Sequence, residues 1–178
     1  RLLLSNDKTL DVLDAGTTMR FLTALKSLKG ENKILTGTPR MCERPVKILV
    51  DALRSLGADI QYLGKEGFPP LEIKGFSSKS YQIQIQGDVS SQYISAILMA
   101  SPLLPNGLEL ELVGKVASRP YIEMTLELMK LFGVQHTWEG NVIRVPKQTY
   151  TANEYTIESD WSGASYWYSM VAISPFED

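Results

Sequence analysis

The chain has 178 residues, enough for one domain or two small ones, and 44% of it is apolar, ordinary for a soluble globular protein. A formal net charge of −2 without a basic block argues against a nucleic-acid partner, and no run approaches the ~20 apolar residues of a membrane helix. Cys42 is the one cysteine, which rules out an internal disulfide and makes a reducing cytoplasm the expected location.

In chain order, Thr9 to Leu13 reads as a strand and Thr17 to Leu28 as a helix with Met19, Leu22 and Leu25 on one face. Asn32 to Thr36 is a strand, and Pro45 to Leu56 a helix with proline at its first position and Gly57 as its stop. Strands Asp59 to Tyr62 and Leu71 to Lys74 follow, joined through Phe68-Pro69-Pro70. The second half repeats this. Strand Tyr81 to Gln86 alternates Gln and Ile, so one face is polar and wet. Helix Ser91 to Met99, strand Leu108 to Val113 and helix Pro120 to Phe132 come next, with Gly133 as cap. A hairpin closes the half, with Gln135 to Trp138 in a strand beside Asn141 to Val145. Lys147 to Asn153 is polar and aperiodic, hence a linker. The order β-α-β-α-β-β, twice, then β-α, gives an α/β (α+β) protein with mixed sheets. The units are residues 1–78 and 79–150, with 151–178 as linker and the start of a third. The chain begins at Arg1 without Met and ends when that third unit has barely begun, so a piece of a longer protein is expected.

Shared landmarks support the repeat. Thr17-Thr18-Met19-Arg20-Phe21, Val89-Ser90-Ser91-Gln92-Tyr93 and Gly163-Ala164-Ser165-Tyr166 each combine small residues, a polar side chain and an aromatic before an apolar run. Phe21, Tyr93 and Tyr166 are spaced by 72 and 73 residues. Gly30 to Gly37 aligns without a gap on Gly107 to Gly114, and Arg44-Pro45 answers Arg119-Pro120.

Helix starts are ready anion sites, because free N–H groups and the helix dipole favour negative charge. Ser90-Ser91-Gln92 offers hydroxyls and an amide behind the tight turn Gly87-Asp88; a plain serine N-cap is the alternative. Ala15-Gly16-Thr17-Thr18 is a second such turn, where Gly16 lets an anion approach the backbone. Arg40 and Arg44 flank Cys42 and Glu43, and arginine can grip a carboxylate or phosphate with both nitrogens; a surface pair salt-bridged to Glu43 is the alternative. Ser118 and Tyr121 stand at the matching element of the second unit. His136, the single histidine, sits in a predicted strand and excludes a His-dependent triad or a His-rich metal site. No cofactor and no metal are expected.

Together these motifs resemble the 5-enolpyruvylshikimate-3-phosphate synthase family. The matching segments are Asp14 to Arg20, Leu35 to Pro45, Val89 to Tyr93, Ser118 to Ile122 and Asp160 to Tyr166, in family order. The resemblance implies six β-α-β-α-β-β units in two domains, the inside-out α/β barrel of the enolpyruvyl transferases. It implies transfer of the enolpyruvyl group of phosphoenolpyruvate to the 5-hydroxyl of shikimate-3-phosphate through a tetrahedral ketal, with loss of phosphate, in a cytoplasmic and monomeric parent enzyme. It assigns Ser90, Ser91, Gln92, Ser118 and Tyr121 to shikimate-3-phosphate. Gly16, Arg44 and Gln92 go to phosphoenolpyruvate, or to glyphosate in its place. Asp14 replaces a frequent Asn and Cys42 a frequent Lys. The family's Lys-Ser…Arg start and its acid/base carboxylates have no counterpart here, so no catalytic residue is expected on this chain and it should not turn over alone. Two other readings are a UDP-N-acetylglucosamine carboxyvinyltransferase-like enzyme, with Cys42 as its loop cysteine, and an anion-binding module without catalysis.

Overall fold

The computed structural model describes residues 5–174. Strand β1 (Thr9–Asp11) leads into helix α1 (Gly16–Leu28), followed by β2 (Lys33–Thr36), a short helix α2 (Pro39–Cys42), α3 (Lys47–Leu56), β3 (Ala58–Tyr62) and β4 (Leu71–Phe76). The second half runs β5 (Gln82–Gln86), α4 (Ser91–Ala100), β6 (Leu108–Val113), α5 (Arg119–Leu131), β7 (Thr137–Glu139) and β8 (Val142–Val145), and α6 (Trp161–Ala172) follows.

The two halves make two four-stranded sheets of the same order, β1-β2-β4-β3 and β5-β6-β8-β7. In each, the first pair is parallel and the others antiparallel, with Leu10 opposite Leu35 and Ile83 opposite Leu110. The β-α-β crossovers force this: α1 and α4 each carry the chain back to start a parallel neighbour. Strand β6 shows how sequence selects the faces. Leu108, Leu110 and Leu112 are buried. Glu109 and Glu111 face outward, where they accept from Gln82 and Gln84 at 2.8 and 2.7 Å, so the Gln face of β5 is wet as expected.

Helices occupy the middle. α4 buries seven side chains, from Tyr93 to Ala100, and packs against α1 on one side and α5 on the other. A helix that is apolar nearly all round belongs inside. Ser95 and Thr125 meet at 2.7 Å across the α4–α5 contact, so the polar pair there is satisfied. α3 carries Leu49, Leu53 and Leu56, all fully buried, and reaches from the first sheet to α4 and β5. Gly57, with φ +118°, ends it in the left-handed region, against the Ser77 carbonyl.

Five expectations need correction. Pro45 does not open the third helix, which begins at Lys47 after the N-cap Val46. In this stretch the proline at a helix start is Pro39, in α2, which the Thr38 hydroxyl caps. No strand opens the third unit among the described residues: 146–160 is irregular and joins neither sheet. His136 lies just before β7 rather than in it. The aromatic landmarks are also not equivalent. Tyr93 is the third residue of its helix, whereas Phe21 and Tyr166 are the sixth of theirs. Likewise Arg119 is the first residue of α5, while Arg44 precedes α3 by a turn. The repeat lives in the sheet topology, and its local spacing drifted.

Lys26 of α1 is buried, and its ammonium lies 2.9 Å from Glu31, which Lys29 also approaches at 3.2 Å. Burial alone would raise the Glu31 carboxyl, but the bonds from Lys26 and Lys29 outweigh it and hold it below the ordinary 4.5. A depressed carboxyl stabilises the fold above its unfolded value and loses that contribution as pH falls through the folded value. Glu31→Gln should therefore cost about 1.5–3 kcal/mol at neutral pH. Melts across pH should show the gap to the unaltered chain closing on the acid side; a gap constant down to pH 3 would contradict the linkage.

Candidate functional site

The elements singled out from sequence are helix starts whose N–H groups receive no side-chain cap. Gly16 is the first residue of α1, and its N-cap Ala15 has no side-chain acceptor. Ser90 and Ser118 hold the N-cap positions of α4 and α5, yet neither hydroxyl caps its helix. By contrast Asp160 caps α6, bonding the N–H groups of Ser162 and Gly163 at 2.9 and 3.2 Å. The uncapped starts leave donors for an external anion.

Gly16 is buried and lies against two guanidiniums. A β-carbon at position 16 would come within 2.7 Å of both Arg44 Cζ and Arg20 Nη1. Only glycine leaves room for this arrangement. Arg44 arrives from the turn between α2 and α3, where the Arg44 N–H donates to the Met41 carbonyl at 3.1 Å. Arg20 arrives from one helical turn below Gly16, since side chains on a helix lean toward its N-terminus.

Arg20 is only 6% exposed, and its Nε and Nη1 have no hydrogen-bond partner. Buried unpaired donors are costly, and an unpaired cation more so. The face of the Tyr93 ring, 5.3 Å from the Arg20 Cζ, offsets part of that cost. Among the described residues, neither Arg20 nor Arg44 forms an ion pair. Two like charges and the positive end of α1 thus converge on one glycine. Such a set is complementary to an anion with more than one charged group.

Asp14 does not fill that role. Its carboxylate is exposed and accepts from the Thr38 hydroxyl, which ties the β1–α1 turn to the start of α2. Cys42 lies against the Gly37 carbonyl, and Arg40 stands exposed on α2.

The start of α4 is tied to the same place. The Tyr93 phenol donates to the Pro45 carbonyl at 2.8 Å, so Gln92 and Arg44 each neighbour a partner of one hydrogen bond. Ser91 and Gln92 are half-buried and Ser90 is exposed. The loops carrying Ser90 and Ser118 are also in contact. Gly87 N–H donates to the Val113 carbonyl at 2.8 Å, and the Ala117 N–H donates to the Gly87 carbonyl at 3.0 Å. Tyr121 is 62% exposed on the first turn of α5. The Tyr121 N–H donates to the Ser118 carbonyl at 3.1 Å within the first turn of α5, and among the described residues no side-chain hydrogen bond joins Ser90, Ser91, Gln92, Ser118 or Tyr121 to one another. Arg119 is turned to Glu123 at 2.8 Å and to the face of Trp138 at 4.2 Å, so it does not duplicate Arg44. A hollow of about 750 Å³ lies elsewhere, walled by Phe21, Met99, Met124 and Phe132, and takes in none of these helix-start residues.

In the sequence Arg20 stands within a motif that assigns it no role, and Tyr93 has none beyond its place in the pattern. For Arg20 the signal was present: position i+4 from Gly16 puts it on the same helix face. For Tyr93 there was none, since its partner lies 48 residues away.

Among known proteins, the EPSP synthase (3-phosphoshikimate 1-carboxyvinyltransferase) family profile matches residues 1–177. The 3-phosphoshikimate 1-carboxyvinyltransferase of Bacteroides fragilis (strain ATCC 25285) is 51% identical over 177 residues, covering 99% of this chain and 43% of that protein. That of Haemophilus influenzae (strain Rd) is 46% identical over 166 residues, covering 90% of this chain and 38% of its own length. The solved EPSP synthase of Acinetobacter baumannii superposes with a TM-score of 0.76 at 26% identity, over 92% of this chain and 36% of that one. The chain spans less than half the length of the curated relatives it matches.

Proposed function

Since the chain belongs to the EPSP synthase (3-phosphoshikimate 1-carboxyvinyltransferase) family, we propose that it is the central part of an enzyme moving the enolpyruvyl group of phosphoenolpyruvate to the 5-hydroxyl of shikimate-3-phosphate, with release of phosphate. Within it, residues 1–78 and 79–150 are the two repeated units and 151–178 leads into a third. The observation that carries this reading is the convergence of Arg44 and Arg20 on Gly16, without a carboxylate, at a helix N-terminus. Phosphoenolpyruvate has a phosphate and a carboxylate; one can sit on the backbone N–H groups at Gly16 while Arg44 grips with its planar fork.

Ser90, Ser91 and Gln92 with Ser118 and Tyr121 would receive the shikimate-3-phosphate, and Gln92 would face both substrates. This part of the enzyme contributes electrostatic grip and orientation, holding the 5-hydroxyl near the enol carbon it attacks. The acid/base groups lie outside these residues. No described helix is long and apolar enough to cross a membrane, in keeping with an enzyme working in the cytoplasm.

Phosphate release from the two substrates together is the test. The full-length enzyme should release phosphate only when both are present, and the 178-residue chain alone should release none. Failure of the full-length enzyme would remove the proposal, and turnover by the repurified chain would remove the division of labour.

A further inference from the structure

We propose that Tyr93 is a positioning residue for the phosphoenolpyruvate side of this site, fixing the Arg44 guanidinium over Gly16 through the carbonyl of Pro45. The inference rests on the functional reading above and deepens it.

Arg44 needs such a device. Its side chain is exposed, and among the described residues no carboxylate holds it, so its place depends on its backbone. The next residue is Pro45, whose ring restricts Arg44 to extended conformations. Pro45 in turn accepts the Tyr93 phenol at 2.8 Å, across 48 residues of sequence. Tyr93 is 7% exposed and belongs to the first turn of α4, whose packing against α1 and α5 immobilises it.

The same ring lies against the guanidinium of Arg20, and Arg20 is the other cation at Gly16. The contacts therefore close a circle: Gly16, Arg44, Pro45, Tyr93, Arg20 and back to Gly16. A phenylalanine would fill the same volume and keep the face toward Arg20. The hydroxyl adds one thing, a tether between the first turn of α4 and the residue after Arg44. Because Gln92 precedes Tyr93, the tether also fixes the distance between the two substrate-facing elements.

Tyr93→Phe separates tether from packing. In the full-length enzyme it should raise the Michaelis constant for phosphoenolpyruvate about fivefold, the worth of one neutral hydrogen bond. The constant for shikimate-3-phosphate and kcat should each stay within about twofold, below the ~1.4 kcal/mol that marks a tenfold change. An unchanged constant for phosphoenolpyruvate, or an equal rise in both constants, would overturn the inference, the second because general loosening has no preference for one substrate. Crystal structures of the full-length enzyme with and without Tyr93→Phe give a readout that needs no activity. The guanidinium of Arg44 should leave its place over Gly16 in the variant; an unmoved guanidinium would overturn the inference. An unaltered full-length enzyme that transfers nothing would instead remove the proposed function, and the crystal comparison would still decide the role of Tyr93.

Discussion

Arg44→Lys in the full-length enzyme should raise the Michaelis constant for phosphoenolpyruvate by about tenfold or more, while Arg40→Lys leaves it within about twofold. Both substitutions keep the charge and remove the planar fork, so long-range electrostatics is nearly the same in the two. They differ in place. Arg44 lies against Gly16 beside Arg20, whereas Arg40 stands exposed on α2. A lysine at position 44 would offer one compact ammonium where two parallel N–H bonds are needed, at a loss of about 1.5–3 kcal/mol for bonds to a charged acceptor. Steady-state kinetics at saturating shikimate-3-phosphate measures this directly. Equal effects at positions 40 and 44 would remove Arg44 from the site. Melting temperatures should not separate the variants, since neither side chain holds an ion pair among the described residues.

The parts of this molecule legible in sequence are those set by local pattern. The alternation Leu-Glu-Leu-Glu-Leu at 108–112 dictated a strand with one buried face, and the β6 residues obey it. Gly57 announced the end of α3 because few other residues accept its left-handed backbone. The Gly87-Asp88 turn ahead of α4 was readable from its residue types, and there Gly87 lets the backbone pass close to the Lys115 carbonyl. What was not legible depends on tertiary contacts. The helix after Pro45 starts later because Thr38 caps a separate short helix first, and Val46 takes the bend between them. Propensity could not rank those two starts. The equivalence of Phe21 with Tyr93 failed because α1 and α4 begin at different distances from their aromatic residues. Tyr93 became a tether and Phe21 remained a packing residue, and no spacing rule distinguishes the two. Gly16 and Arg44, which the fold brings into contact, both stand out in motif and chemistry. Arg20 shows its importance only by being buried with two unpaired nitrogens, a fact about its surroundings rather than its identity.

Ser90→Ala with Ser91→Ala should weaken shikimate-3-phosphate binding by the full-length enzyme at least about tenfold, with little loss of stability. Each neutral hydrogen bond lost costs about 0.5–1.5 kcal/mol, and more where the acceptor is a charged phosphate oxygen. Two such losses exceed the ~1.4 kcal/mol of one decade. The competing account makes these residues helix caps, whose removal would cost ~1 kcal/mol of folding free energy and leave binding alone. The geometry of α4 favours the first account. Ser90 occupies the N-cap position at φ −54° and ψ 126°, but its hydroxyl makes no bond to the first-turn N–H groups. Stability therefore gains little from it, and the hydroxyl is free to turn outward with those N–H groups. Ser91 already lies within the helix, where alanine is the better helix former, so its replacement should offset part of any loss. Calorimetric titration of shikimate-3-phosphate on the double variant, set beside its thermal melt, reads both quantities. Unchanged affinity with a lowered melting temperature would make the pair caps and remove the shikimate-3-phosphate assignment at this helix. Weakened affinity at an unchanged melting temperature is the outcome that an uncapped, anion-facing helix start requires.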